Sequence, residues 1–171
     1  MHAFEVIHLD EDRFKRNFSI VLIMAAPLWQ LCIEEGKLAE ARAALARGED
    51  VNSRCAPILR RTGLMLALMH TRNSIVKLLL EQPTLDLNCT DIYGETALHI
   101  AAKYNNVDGL QLLLFDPRLN TANHKNENGD TPVMSAMVLS NMNILRELVA
   151  HPSVNLDTRD YQGTSLEEVA K

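Results

Sequence analysis

The chain has 171 residues, enough for one domain with a core of its own, and its 47% apolar and 23% charged residues are ordinary for a globular protein. A formal net charge of −5 works against nucleic acid as the main partner, because phosphate binding needs a basic face. Cys32, Cys55 and Cys89 are an odd number with no CxxC pair. That pattern points away from zinc and toward reduced thiols in a cytoplasmic chain, with the nucleus as the alternative.

Residues 1–27 differ in pattern from the rest of the chain. FEVIHL alternates like a short strand, and Phe14, Phe18, Val21, Leu22 and Ala25 stand near helical spacing. The expectation is an N-terminal extension whose helix caps the next element; the alternative is the remnant of a preceding domain. The apolar run from Ser19 to Trp29 is too short for a membrane span of about 20 residues. The acidic-then-basic stretch ahead of it does not look like the start of a secretory signal.

From residue 28 a repeat runs to the end of the chain. TGLMLAL (Thr62–Leu68) is followed 34 residues later by TALHIAA (Thr96–Ala102), and 35 residues after that by TPVMSAM (Thr131–Met137). A degenerate copy, TSLEEVA, closes the chain at Thr164–Ala170; it aligns in either of two registers one residue apart, and in both Glu167 and Glu168 replace apolar or histidine positions. Each is trailed by a second element: Ser74–Pro83, Asp108–Pro117 and Asn143–Pro152, with Leu38–Asn52 as an earlier half-unit. These define units at 28–54, 55–90, 91–125 and 126–159, and a partial one at 160–171. Every unit reads as two short helices and a turn. Leu98, Ala101 and Ala102 share one side of the first helix, and Val107, Leu110, Leu113 and Leu114 are spaced helically in the second. The closing proline stops the second helix, and DIYGE supplies Asp and Gly for a tight turn. A unit this small cannot bury its own apolar face, so neighbours must stack.

The unit resembles the ankyrin repeat, through its GxTALHxAA first-helix start at 94–102 and its LLL second helix. The resemblance covers about Leu28 to Lys171 and implies an all-α solenoid of about four repeats, with paired antiparallel helices and projecting β-hairpin loops. Departures are visible. Arg60 stands where the hairpin glycine belongs, and Met65 and Met134 stand where His99 does. The loop SRCAPILRR is long, which predicts an irregular hairpin. The polar last half-unit reads either as a terminal cap or as a place where a longer protein was cut.

The resemblance also assigns roles. His99 and Thr96 are expected to bond within and between hairpins, and His99→Ala is expected to lower the melting temperature and abolish no catalysis. His70, His124 and His151 read as surface groups, and Cys89 as a packing residue. Asn52, Asn88 and Asn123 are expected to bond the nearby turn backbone, with Asn88 as a possible acceptor for hydroxylation. The chain shows no P-loop, GxSxG, HExxH or dinucleotide fingerprint, so no catalytic residue, cofactor or metal is assigned.

Partners of this family usually contact hairpin tips and first-helix ends. Carried over, these positions are Ile58, Leu59, Arg61, Met69 and His70 in one unit and Ile92, Tyr93, Glu95, Lys103 and Tyr104 in the next. Glu127, Asn128, Asp130, Val138 and Leu139 follow, then Tyr161 and Gln162. All three tyrosines of the chain fall in this set, and aromatic residues are enriched at interface hot spots. The expectation is a monomeric, non-catalytic module that binds another protein on its concave face, with no membrane contact. The alternatives are a small inhibitor or regulator of an enzyme or transcription factor, and a nucleic-acid or small-ligand binder.

Overall fold

The computed structural model describes residues 37–56 and 59–169; the extension at 1–27, Cys32, the front of the 28–54 unit and Ile58 lie outside them. The described elements are α1 (Leu38–Ala46), β1 (Arg54–Ala56), β2 (Arg61–Thr62), α2 (Gly63–Met69), α3 (Asn73–Leu80), α4 (Ala97–Lys103), α5 (Val107–Leu114), α6 (Pro132–Val138), α7 (Met142–Ala150) and α8 (Leu166–Val169). They form an all-α ankyrin solenoid with small hairpin elements. First helices stack in a row, α2–α4–α6–α8, and second helices in a parallel row, α1–α3–α5–α7.

The two rows differ because their surroundings differ. Each first helix is covered on several sides, so all of α2 except Met69 and all of α4 except Lys103 are buried. Ala67, Ala101, Ala102 and Ala136 have no exposed surface, which is how neighbouring first helices come so close. The second helices are amphipathic and bury one stripe: Ile75, Val76, Leu78 and Leu79 in α3, then Leu110, Leu113 and Leu114 in α5. Burying each such leucine contributes roughly 1.5–3 kcal/mol.

The turns repeat as faithfully as the helices. Thr71, Asn105 and Ser140, one residue past the C-cap of α2, α4 and α6, all have φ near +55° (55, 53 and 55). This left-handed residue ends the helix and lets the chain double back. Asn106 then ties one unit to the last. Its Oδ1 accepts from the Gly109 backbone at 2.9 Å, and its Nδ2 donates to the Leu68 carbonyl at 3.0 Å. A Cβ on Gly109 would come within 2.7 Å of that Nδ2 and 2.6 Å of Leu68, so the glycine is required by the cross-link. Asn141 donates likewise to the Ala102 carbonyl at 2.6 Å.

The irregular first hairpin is present. β1 pairs antiparallel with β2, and the register shifts between Arg54 and Ala56. Arg60 occupies the glycine position with φ +56°, the same sign as Gly94, Gly129 and Gly163.

Candidate functional site

The hairpins are joined to one another by backbone hydrogen bonds. The Ile92 N–H donates to the Leu59 carbonyl at 3.1 Å, and the Glu127 N–H donates to the Tyr93 carbonyl at 2.9 Å. Within the hairpins that follow the first, an Asp or Asn side chain closes the turn. Asp91 Oδ1 accepts from the N–H of Tyr93 and Glu95, and Asn126 Oδ1 from the N–H of Asn128 and Asp130. The tips are therefore held on a cross-linked frame.

On that frame the exposed tip residues are Ile92, Tyr93, Glu127, Asn128, Tyr161 and Gln162, and the exposed first-helix ends are His70, Lys103, Tyr104, Val138 and Leu139. Their apolar members range from 40% (Tyr104) to 66% (Tyr161) exposed. Tyr161 rests on the neighbouring hairpin, where a Cβ on Gly129 would meet its ring, and the Lys125 ammonium lies 5.7 Å from its ring centroid. Leu59, Met69 and Asp130 are half-buried. Burial, reinforced by the nearby Asp160 charge, pushes the Asp130 carboxyl up.

Two expected contact residues are not exposed. Arg61 and Glu95 are buried in a charged cluster that spans two units. Arg61 Nε lies 3.2 Å from Asp91 Oδ2, Arg61 Nη2 lies 3.7 Å from Glu95 Oε2, and Lys103 Nζ bonds Glu95 Oε1 at 3.0 Å. Arg61 and Glu95 occupy the same position in successive units, so stacking places opposite charges together. This pairing was visible as an Arg and a Glu 34 residues apart.

His99 has no exposed surface. Its Nδ1 accepts from the Thr96 backbone at 3.2 Å and lies 2.8 Å from the Thr96 hydroxyl, while Nε2–H donates to the Asp130 carbonyl at 2.9 Å. Burial lowers its pKa to about 4, against the raising effect of the Asp130 bond, so the ring is neutral near pH 7. With both nitrogens bonded it holds two hairpins together and is not available as a base.

The asparagines reach further than their own turns. Asn52, Asn88 and Asn123 each donate Nδ2 to a carbonyl of the next unit (Thr84, Arg118 and Ser153) and accept an N–H from it (Asp86, Asn120 and Asn155). Asn88, the expected modification site, is half-buried with both ends of its amide engaged. Sequence reading missed Arg118, which donates to the Leu80 and Gln82 carbonyls at the end of α3 while paired to Asp116 at 2.6 Å. The Arg118 hydrogen bond holds the Asp116 carboxyl below its usual range. Burial and the Asp86 contact push the Cys89 thiol up, which disfavours a reactive thiolate. Among the described residues, no three His, Cys, Asp or Glu side chains are grouped to hold a metal ion.

A model for ankyrin repeats, in three copies, matches residues 28–123, more than half of the chain. The chain belongs to the ankyrin repeat family. Ankyrin repeats generally mediate protein–protein interaction, and the family is typically non-catalytic. Among curated relatives, neurogenic locus notch homolog protein 1 from Xenopus laevis and from Homo sapiens is 35% identical over 78 residues. The human transient receptor potential cation channel subfamily A member 1 is 33% identical over 82 residues. These alignments take in 46% and 48% of this chain but only 3% and 7% of the relatives' own lengths. No helix among the described residues is long and apolar enough to cross a membrane.

Proposed function

We propose that this ankyrin protein binds a protein partner across the face built by its hairpin tips and first-helix ends, without transforming it. The observation that supports this is the chemistry of that face. Ile92, Tyr93, Tyr104, Val138, Leu139 and Tyr161 are exposed there. The tips they flank are tied by backbone hydrogen bonds from hairpin to hairpin. A pre-formed frame reduces the ordering cost of association, and aromatic anchors supply most of the energy of such contacts. On this reading residues 28–171 form one repeat domain.

The test is affinity capture with the wild type against the Tyr93→Ala/Tyr104→Ala double variant. Both side chains are exposed, so the variant should melt at the same temperature and lose the partner. Equal capture of every partner by both proteins would remove this face from consideration.

A further inference from the structure

Charge is sorted by depth where the 55–90 and 91–125 units meet. The hairpin and first-helix stretches on the two sides, residues 54–70 and 90–104, hold two acids, Asp91 and Glu95, and both are buried. Arg61 lies against the two of them from below the surface, and Lys103 Nζ bonds Glu95 Oε1 at 3.0 Å. The charged groups left to meet solvent are cations. Arg60 is exposed and makes no ion pair among the described residues. The Lys103 side chain remains 42% exposed beside Glu95. Arg54 is exposed too, but its Nη1 is committed to the Arg60 and Thr90 carbonyls. These stretches therefore carry four cations against two neutralised carboxylates, within a chain whose net charge is −5.

The next unit is the reverse. Residues 126–139 hold Glu127, exposed at the tip, and Asp130, half-buried, and no cation. Lys125, just before them, lies over the Tyr161 ring.

The repeat also says where the Arg60 side chain runs. Gly94 holds the same position one unit on, and a Cβ there would lie 3.1 Å from the backbone nitrogen of Glu127, the first tip residue of the following hairpin. Arg60 thus starts toward the equivalent tip residue, Ile92, whose N–H already bonds the Leu59 carbonyl at 3.1 Å. From the other side Lys103, at the end of α4, reaches back to Glu95 in the hairpin that carries Ile92 and Tyr93, and Tyr104 follows it. Arg60, Ile92, Tyr93, Lys103 and Tyr104 share one surface, with two cations set among apolar and aromatic groups.

We infer that this part of the hairpin face takes an acidic segment of a protein partner, its Asp or Glu residues meeting Arg60 and Lys103 and its apolar side chains lying on Ile92, Tyr93 and Tyr104. The inference rests on the hairpin face being the binding face and adds the chemistry which that face selects. An ammonium has three donors, so Lys103 serves a partner carboxylate without releasing Glu95. Complementary charge of this kind sets the choice of partner and the rate of encounter, while the buried aromatic contacts hold the complex. Glu127 confines the acidic stretch to the first two hairpins. A polyanion without apolar groups would leave the tyrosines uncovered.

The test is a displayed library of random peptides selected on the full chain. The wild type should enrich sequences that combine Asp or Glu with Leu, Ile or aromatic residues. A fluorescein-labelled copy of the most enriched peptide is then compared by anisotropy with a copy in which Lys replaces every Asp and Glu. The acidic peptide should bind about ten-fold or more tighter, and added salt should narrow the gap. Arg60→Gly should weaken it about five-fold and Arg60→Glu about ten-fold, whereas Arg60→Lys and Glu127→Gln should retain it. Arg60→Gly relieves a left-handed backbone, so a variant that melts no lower and binds more weakly separates recognition from stability. Enriched peptides without an acidic bias, or an acidic bias that Arg60→Gly and Arg60→Glu leave intact, would overturn the acidic assignment while binding stays sensitive to Tyr93→Ala/Tyr104→Ala. Binding that survives the tyrosine variant would overturn the face itself. Equally tight binding of a single-stranded DNA oligonucleotide would overturn the peptide occupant, because the apolar half would then contribute nothing.

Discussion

Two successive unit boundaries in this solenoid are held by different chemistry. Between the 55–90 and 91–125 units the link is ionic: Arg61 reaches Asp91 and Glu95, and Lys103 completes the cluster. Between the 91–125 and 126–159 units it is a neutral imidazole, His99, bonded to Thr96 on one side and the Asp130 carbonyl on the other. Where the first helix carries the histidine, both ring nitrogens are satisfied. Where it carries Met65, Thr62 accepts only a 3.4 Å bond from the Met65 N–H, and the arginine two residues before the helix takes over the bridging. The ionic version is less complete, since Glu95 Oε2 has no hydrogen-bond partner. The lesson is that the boundary needs a polar bridge, and that the kind of bridge sets how the boundary responds to mutation and pH.

The largest break should come at the ionic boundary. Arg61→Met leaves the buried Asp91 carboxylate without its cation and Glu95 with Lys103 as its remaining partner. It should cost about 3–5 kcal/mol in urea denaturation, the usual penalty for removing one member of a buried pair. Adding Glu95→Met should restore part of the loss, because the second carboxylate served by the Arg61 guanidinium goes with it. A single-variant cost below about 1 kcal/mol would mean the cluster is solvated.

The imidazole boundary should respond to acid instead. The folded-state pKa of His99 is about 4, below the unfolded value of about 6.5. Between those values the unfolded chain binds the extra proton and the folded one does not, so stability falls as pH drops through this window. At about 1.36 kcal/mol per unit the loss approaches 3 kcal/mol by pH 4. His99→Gln should start less stable at pH 7 and show a shallower slope between pH 6.5 and 4. Parallel slopes in the two proteins would mean the histidine is not the group responsible.

Arg118 offers a smaller test at the ionic boundary. Its guanidinium donates to the Leu80 and Gln82 carbonyls and pairs with Asp116. Arg118→Ala should cost about 1–2 kcal/mol, since charge-assisted bonds to helix-end carbonyls are lost but water can replace some of them. Arg118→Lys should recover only part, because a lysine lacks the fork that spans two carbonyls.

Much of this was legible in the sequence. Three copies of one pattern in register, with a last copy that the structure shifts by one residue so that Ser165 caps it, pointed to the two helix rows, and the TALH stretch to the role of His99. What was harder to read lies between units. Arg61 and Glu95 look like variable tip residues when each unit is taken alone. They become a buried pair only when position 61 is laid against position 95, because stacking turns a 34-residue separation into contact. Asn106 and Asn141 follow the same logic, each donating to the carbonyl of the preceding first helix. Arg118 carried no repeated signal at all, since Pro117 is followed by arginine but Pro83 and Pro152 by threonine and serine.

The smallest effect bears on the same two units at their hairpins. Arg60 takes the left-handed conformation at φ +56°, where Gly94 in the next unit has +69°. A side chain in that region costs about 1–2 kcal/mol, and replacing it with glycine raises the entropy of the unfolded chain by about 0.5–1 kcal/mol. Arg60→Gly should therefore stabilise by a net of about 0.5–1 kcal/mol, read as a small rise in Tm. The reverse change is not its mirror image. Gly94 also faces the backbone of the next hairpin, where a Cβ would lie 3.1 Å from the Glu127 nitrogen and 3.2 Å from the Asn126 Cα. Gly94→Ala should accordingly lose more than Arg60→Gly gains, because it adds a steric cost at the hydrogen bond from Glu127 to Tyr93. Equal and opposite effects would mean the two hairpins differ only in local backbone strain and not in how tightly the next unit is seated against them.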